Sequence, residues 1–281
     1  MRLGQIKQDG RTMAAIFEGD SARPIPAHTL LELIRRAEAE SITLPVLAAS
    51  LASRHAQAAA PIIPIHPVEV WACGCTYETS ASFRDAEHGT REGIYAYVYG
   101  SARPEIFFKG TARVCVGPGR PIGLRADSNF TAPEPELAVI LGSRGAILGF
   151  TLANDVSAWD IERENALYLP QSKVYSACCA LGPVMITADE VPDPYQLEMT
   201  CTVTRDGIVR FRGSISTARL HRTLETLIEY LLRANPVPAG SVLLTGTGII
   251  IPEDAALAAG DTVSIRIPEI GELANRAVVV E

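Results

Sequence analysis

No stretch of the 281-residue chain approaches the unbroken apolar length that a bilayer-spanning helix needs. The N-terminal residues Met1–Thr12 are polar and lack the apolar core of a secretory signal. Both absences point to a cytoplasmic protein with no membrane partner. Excess positive charge is missing too: 25 Lys and Arg stand against 32 Asp and Glu, a formal net charge of -7. That balance argues against nucleic acid or an anionic membrane as the main partner, although a local pocket can oppose the global sign. Paired CxxC spacing of the zinc type is also lacking. Cys73 and Cys75 form a CxC, Cys178 and Cys179 are adjacent, and Cys115 and Cys201 stand apart. In a cytosolic chain such cysteines read as reduced, small buried apolar residues. Internal repeats and low-complexity segments are absent.

What is present is enough apolar sequence, 47%, for one large domain and a small one. Residues 1–66 read as a small N-terminal α/β unit. Thr29 and Glu32 have capping-box spacing, and Leu30, Leu31, Ile34 and Ala37 follow a helical stripe. An Ala-rich stretch, Val46–Ala60, reads as a second helix, and Pro61, Pro64 and Pro67 mark Ala58–Pro67 as the linker. From residue 67 to 281 the texture changes to short β-branched runs between turns. Expected strands are Leu137–Leu141, Ala146–Leu152, Leu197–Thr204, Ile208–Phe211, Val242–Leu244, Thr262–Ile267 and Ala277–Val280. Asp206-Gly207 is a hairpin signal. Leu220, Leu224, Leu227, Ile228 and Leu231 mark one helix. Strands and helices do not alternate steadily, which argues against a Rossmann sheet or TIM barrel. A β-rich α+β body with mixed, mostly antiparallel sheets is expected.

The most informative segment is Pro133-Glu134-Pro135-Glu136 leading into an apolar strand. Residues two apart on a strand share a face, so Glu134 and Glu136 present paired carboxylates. Two such charges are costly unless a cation or proton lies between them. Asp155 follows another apolar strand and offers a third hard oxygen, a set that suits Mg²⁺ or Mn²⁺. Spacing alone does not separate this from a solvated Glu-Pro-Glu edge with Asp155 as a turn or helix cap.

Four ordered blocks then resemble the fumarylacetoacetate hydrolase superfamily over residues 68–281. They are Glu134-Pro-Glu136 with its Leu-Ala-Val-Ile-Leu-Gly continuation, Gly149 through Asp155-Val-Ser, Lys173 with Leu181-Gly-Pro183, and Gly240 through Thr245-Gly-Thr247-Gly. The resemblance implies a β-roll/sandwich catalytic domain, a homodimer or homotetramer, that holds Mg²⁺ through Glu134, Glu136 and Asp155. It also implies a 2-keto acid substrate, which a bound ion would chelate and polarise as a Lewis acid.

The family's C–C hydrolases carry a His and, three residues on, a Glu. Ser80 and Phe83 stand at those places, with His88 nearby as a possible substitute. The segments Ser101–Lys109 and Glu164–Lys173 instead resemble the 2-keto-3-deoxy-D-arabinonate dehydratase branch. This implies loss of water from a 2-keto-3-deoxy pentonate to give 2,5-dioxopentanoate. The alternative is a metal-dependent C–C hydrolase or decarboxylase of a diketo acid. Lys173 is the expected base and Glu105 the expected acid or water-positioning group, with exchange of the two roles left open. Thr245 and Thr247 offer hydroxyl and N–H groups to an anionic substrate or form a plain turn. Tyr77 and Arg84 lie on a loop that either closes over the pocket, with Arg84 on a carboxylate, or is surface. Many members of the family have Arg where this chain has Trp159, which implies a reshaped pocket.

Overall fold

The period-two runs become strands in the computed structural model, which describes residues 1–79 and 94–281. The chain opens with β1 (Arg2–Gln8), β2 (Arg11–Glu18), β3 (Ser21–Ile25), α1 (Leu30–Ala39), α2 (Leu44–Leu51) and β4 (Gln57–Ala58). The middle carries β5 (Val70–Gly74), α3 (Ile94–Gly100), β6 (Glu105–Gly110), β7 (Cys115–Val116), β8 (Ile122–Arg125) and β9 (Thr131–Ala132). Then come β10 (Pro135–Leu141), β11 (Ile147–Asp155), β12 (Ser157–Ala158), α4 (Trp159–Glu164), α5 (Leu169–Lys173) and β13 (Cys179–Thr187). The chain closes with β14 (Glu198–Arg205), β15 (Ile208–Ser216), α6 (Leu224–Leu232), β16 (Ser241–Leu244), β17 (Thr262–Ile267) and β18 (Gly271–Val280).

Local chemistry explains these bounds. Thr29 and Glu32 close the capping box of α1, whose Leu30, Leu33, Ile34 and Ala37 face inward. The Ala-rich second helix is shorter than expected. Ala52 turns extended and ends it, and Gln57-Ala58 pairs with β3 as an edge strand instead. Thr223 caps α6, so Leu220 falls outside that helix. Asp206 and Gly207 both take positive φ and join β14 to β15, as a tight hairpin turn requires.

Among the described residues eleven strands form the main sheet, in the order β4-β3-β2-β1-β13-β11-β10-β16-β5-β6 with β7 on β13. A second sheet runs β15-β14-β17-β18-β8. Most pairs are antiparallel; β16–β5, β13–β7 and β18–β8 are parallel. The β-rich α+β expectation therefore describes the fold. The expected boundary near residue 66 falls in coil between β4 and β5, while the sheet runs across it through β1 and β13.

Strand β10 is the spine of the main sheet. All seven of its residues are buried, with Leu137, Val139 and Leu141 in one core cluster and Ala138 and Ile140 in the other. A strand covered on both faces reads as a continuous apolar run. Pro135 stands at its first position, where proline is tolerated. In β11, Gly149 is needed because a Cβ there would lie 2.3 Å from the Ile186 carbonyl oxygen.

The smaller sheet is pinned by a fork. Arg205 Nε and a terminal nitrogen donate to the two oxygens of buried Asp261, each at 2.8 Å. Burial pushes the Asp261 carboxyl up, but the Arg205 fork and the Ala258 N–H outweigh it and hold it below the usual carboxylate range. A carboxylate with a depressed pKa stabilises the fold above its unfolded pKa and loses that as pH falls through its folded value. Asp261→Asn should therefore cost about 1–3 kcal/mol in urea unfolding at neutral pH. The gap to the parent protein should shrink as pH falls from about 5 toward 2.

Candidate metal-centred active site

Register brings the chemistry to one rim of the main sheet. β10 begins where its antiparallel neighbour β11 ends, with Pro135 opposite Asn154 and Glu136 opposite Ala153. β16 ends beside Ala138 and leads into Thr245. β5 runs parallel to β16, and its last residue Gly74 pairs with Glu105, the first of β6. The N-terminal ends of β10 and β6 thus meet the C-terminal ends of β11, β16 and β5.

At this rim Glu134, Glu136 and Asp155 bring carboxylate oxygens within 4.8 Å of one another. All three side chains are buried. Glu134 sits just ahead of β10, its N–H donating to the Asn154 side-chain oxygen at 3.1 Å. Asp155 ends β11, its N–H donating to the Glu134 carbonyl at 2.9 Å. Like charges this close need compensation. Lys173 Nζ supplies part of it, at 2.7 Å from Glu134 Oε1 and 3.3 Å from Asp155 Oδ2. Lys109 pairs with Asp155 Oδ1 and also donates to the Val156 carbonyl at 3.0 Å. Burial alone would depress the Lys109 ammonium, yet the Asp155 carboxylate outweighs it and raises the pKa.

Glu136 is less well served. Its Oε2 accepts the Gly246 N–H at 2.5 Å, and its buried Oε1 has no hydrogen-bond partner among the described residues. Burial, then the Asp155 and Glu134 charges, push this carboxyl well above the usual range, against the pull of the Gly246 N–H. A donor set of hard carboxylate oxygens with one buried oxygen in want of a partner fits Mg²⁺ or Mn²⁺. These three residues are able to hold such an ion, as expected from the sequence.

The remaining expected residues divide. Glu105 lies beside Cys75, whose thiol donates to Glu105 Oε2 at 3.4 Å. Gly74 makes room for it, since a Cβ there would stand 2.0 Å from that oxygen. Glu105 also lines a cavity of about 110 Å³ with Tyr95, Val98, Glu162, Ala166 and Leu169. Tyr77 is buried against Gly248, and its hydroxyl has no hydrogen-bond partner among the described residues. Burial and then the Glu136 charge push its phenol up.

Thr245 and Thr247 turn their hydroxyls to backbone: Thr245 Oγ1 donates to the Leu137 carbonyl at 2.9 Å and Thr247 Oγ1 to that of Ile249 at 3.3 Å. What this loop delivers to the carboxylates is the Gly246 N–H. Gly246 has φ +91°, and a Cβ there would meet Thr76 Oγ1 at 2.0 Å. Arg84, Ser80, Phe83 and His88 lie outside the described residues.

Lys109 is absent from the expected site. The signal that points to it is alternation. Glu105, Phe107 and Lys109 are two apart on β6 and share a face. Lys173 Nζ stands 5.4 Å from the Phe107 ring centroid, so that face looks onto the site. Trp159, expected from the sequence to reshape the pocket, donates its indole N–H to Glu134 Oε1 at 2.7 Å.

The family model described as fumarylacetoacetate (FAA) hydrolase C-terminal matches residues 96–278. A 2-dehydro-3-deoxy-D-arabinonate dehydratase of Saccharolobus solfataricus is 49% identical over 213 residues, 75% of this chain and 72% of that one. A probable 2-keto-3-deoxyxylonate dehydratase of Haloferax volcanii is 44% identical over 218 residues, 78% of this chain and 75% of that one. Among solved structures, a 2-keto-3-deoxy-D-arabinonate dehydratase complexed with magnesium and 2,5-dioxopentanoate superposes with a TM-score of 0.83. It is 39% identical, with 100% of both chains covered. The chain belongs to the fumarylacetoacetate hydrolase family.

Proposed function

We propose that this chain is a Mg²⁺-dependent hydro-lyase, with Mn²⁺ as a possible substitute. Its substrate is a 2-keto-3-deoxy pentonate of the arabinonate or xylonate type, and its product is 2,5-dioxopentanoate, formed in oxidative pentose degradation. One observation carries the reading: an acidic triad able to hold a divalent ion lies against a buried lysine, in a chain 49% identical to an arabinonate dehydratase.

A bound Mg²⁺ supplies Lewis-acid polarisation of the 2-keto acid. The chain's own groups do the rest. Lys173, as the neutral amine, takes the proton from C3, next to the keto carbon. Glu105 gives a proton to the C4 hydroxyl as the C4–O bond breaks and water leaves. The resulting 3-ene then tautomerises to the C5 aldehyde. Tyr77 offers its hydroxyl to substrate, and Arg84 a fork to its carboxylate. Thr245 and Thr247 hold the loop whose Gly246 N–H fixes Glu136. Burial of Glu134, Glu136, Asp155, Lys109 and Lys173 strengthens the electrostatic contacts among them. Among the described residues no helix is long and apolar enough to cross a membrane. Edge strand β15 leaves Ile208 and Val209 59% and 57% exposed, which supports assembly into a homo-oligomer.

Proton NMR of the protein with Mg²⁺ and a 2-keto-3-deoxy pentonate should show loss of the C4 carbinol signal and growth of 2,5-dioxopentanoate. Release of pyruvate from an acylpyruvate, with the sugar acid untouched, would contradict the reading.

The two protonic roles separate in D₂O. Lys173→Met should lower kcat by about 10²–10⁴-fold and abolish deuterium exchange at C3. Glu105→Gln should slow water loss by a similar factor, about 10²–10⁴-fold, while C3 exchange persists. The opposite pattern of exchange would swap the assignments.

A further inference from the structure

Two donors converge on one oxygen of Glu134. The Trp159 indole N–H and Lys173 Nζ each reach Glu134 Oε1 at 2.7 Å. A carboxylate oxygen that accepts two N–H bonds has committed its lone pairs. Trp159 is itself held firmly. It opens α4, is 2% exposed, packs its ring 5.3 Å from that of Phe130, and donates its backbone N–H to the Phe130 carbonyl. We infer that Trp159 is a positioning residue for Glu134, its indole N–H fixing the carboxylate through Oε1 in the orientation that binds a divalent ion. The inference rests on reading Glu134, Glu136 and Asp155 as a metal site.

Charge explains why an indole suits this place. Three carboxylates, Glu134, Glu136 and Asp155, face Lys109 and Lys173 here. Indole donates a directional hydrogen bond and brings no charge. A guanidinium at this position would instead add a further cation beside Glu134. In a buried site a further positive charge opposes uptake of another cation far more strongly than in water. Trp159 therefore orients the ligand without adding positive charge beside it.

Calorimetric titration of the full chain with Mg²⁺ tests this. Trp159→Phe keeps an aromatic ring against Phe130 and removes the donor, and should weaken Mg²⁺ binding by about 10–100-fold. Trp159→Arg keeps N–H donors but adds charge, and should bind no more tightly than the Phe variant. The chain has two tryptophans, so Trp71→Phe leaves Trp159 as the sole indole emitter. Its emission should change on adding Mg²⁺, with the midpoint found by calorimetry. A Kd for Trp159→Phe within about threefold of the parent's, well short of the usual cost of losing such a partner, overturns the inference. Should that variant fail to fold, a flat emission trace from the Trp71→Phe protein overturns it instead. A parent protein that binds no Mg²⁺ sinks the metal reading itself, whereas normal parental binding with an unaffected variant sinks the role of Trp159 alone.

Discussion

Three carboxylates buried within 4.8 Å of one another are the constraint on which the rest of this site depends. Left alone, such a group would not stay ionised away from water. Each compensating donor comes from a different element. Lys173 ends α5, Lys109 lies on β6, Trp159 starts α4, and the Gly246 N–H follows β16. The fold has to deliver all four to one place, and the carboxylates give it a reason to hold them there. Glu136 remains the least compensated of the three, which is what a site made for an added cation requires.

The sheet solves the delivery problem through direction. Antiparallel pairing of β10 with β11 and β16 places Glu136, Asp155 and Thr245 at one rim although they are far apart in sequence. Close approach then demands residues without side chains. Gly74 yields its place to Glu105, and Gly246 takes a left-handed backbone that lets its N–H reach Glu136. Burial of β10 on both faces fixes the height of the carboxylate pair relative to the core.

Part of this was legible from the chain alone. Glu134 and Glu136 at a strand entrance, with Asp155 at a strand end, follow from period-two alternation and charge. The Asp206-Gly207 hairpin and the Thr29 capping box are local, and local signals survive into the fold. The chemistry of the Thr245–Gly248 loop was less legible. A threonine hydroxyl reads as a substrate donor, yet both hydroxyls satisfy backbone carbonyls and the useful donor is a main-chain N–H that any sequence possesses. Lys109 was concealed because its partner Asp155 lies on a strand remote from β6 in the sheet order. Insertion of β1 beside β13 is equally non-local, with Leu3 opposite Met185. Trp159 marked a departure from the family without disclosing its consequence, since the hydrogen bond to Glu134 spans 25 residues of sequence.

The central claim is that these three carboxylates exist to hold one divalent ion. Anomalous diffraction from crystals grown with Mn²⁺ tests it most directly. The account predicts a single strong peak among Glu134, Glu136 and Asp155 that disappears in Glu136→Gln crystals. A structure with Mn²⁺ in the solution and no peak among these residues, Lys173 and Lys109 still pairing them, would contradict it.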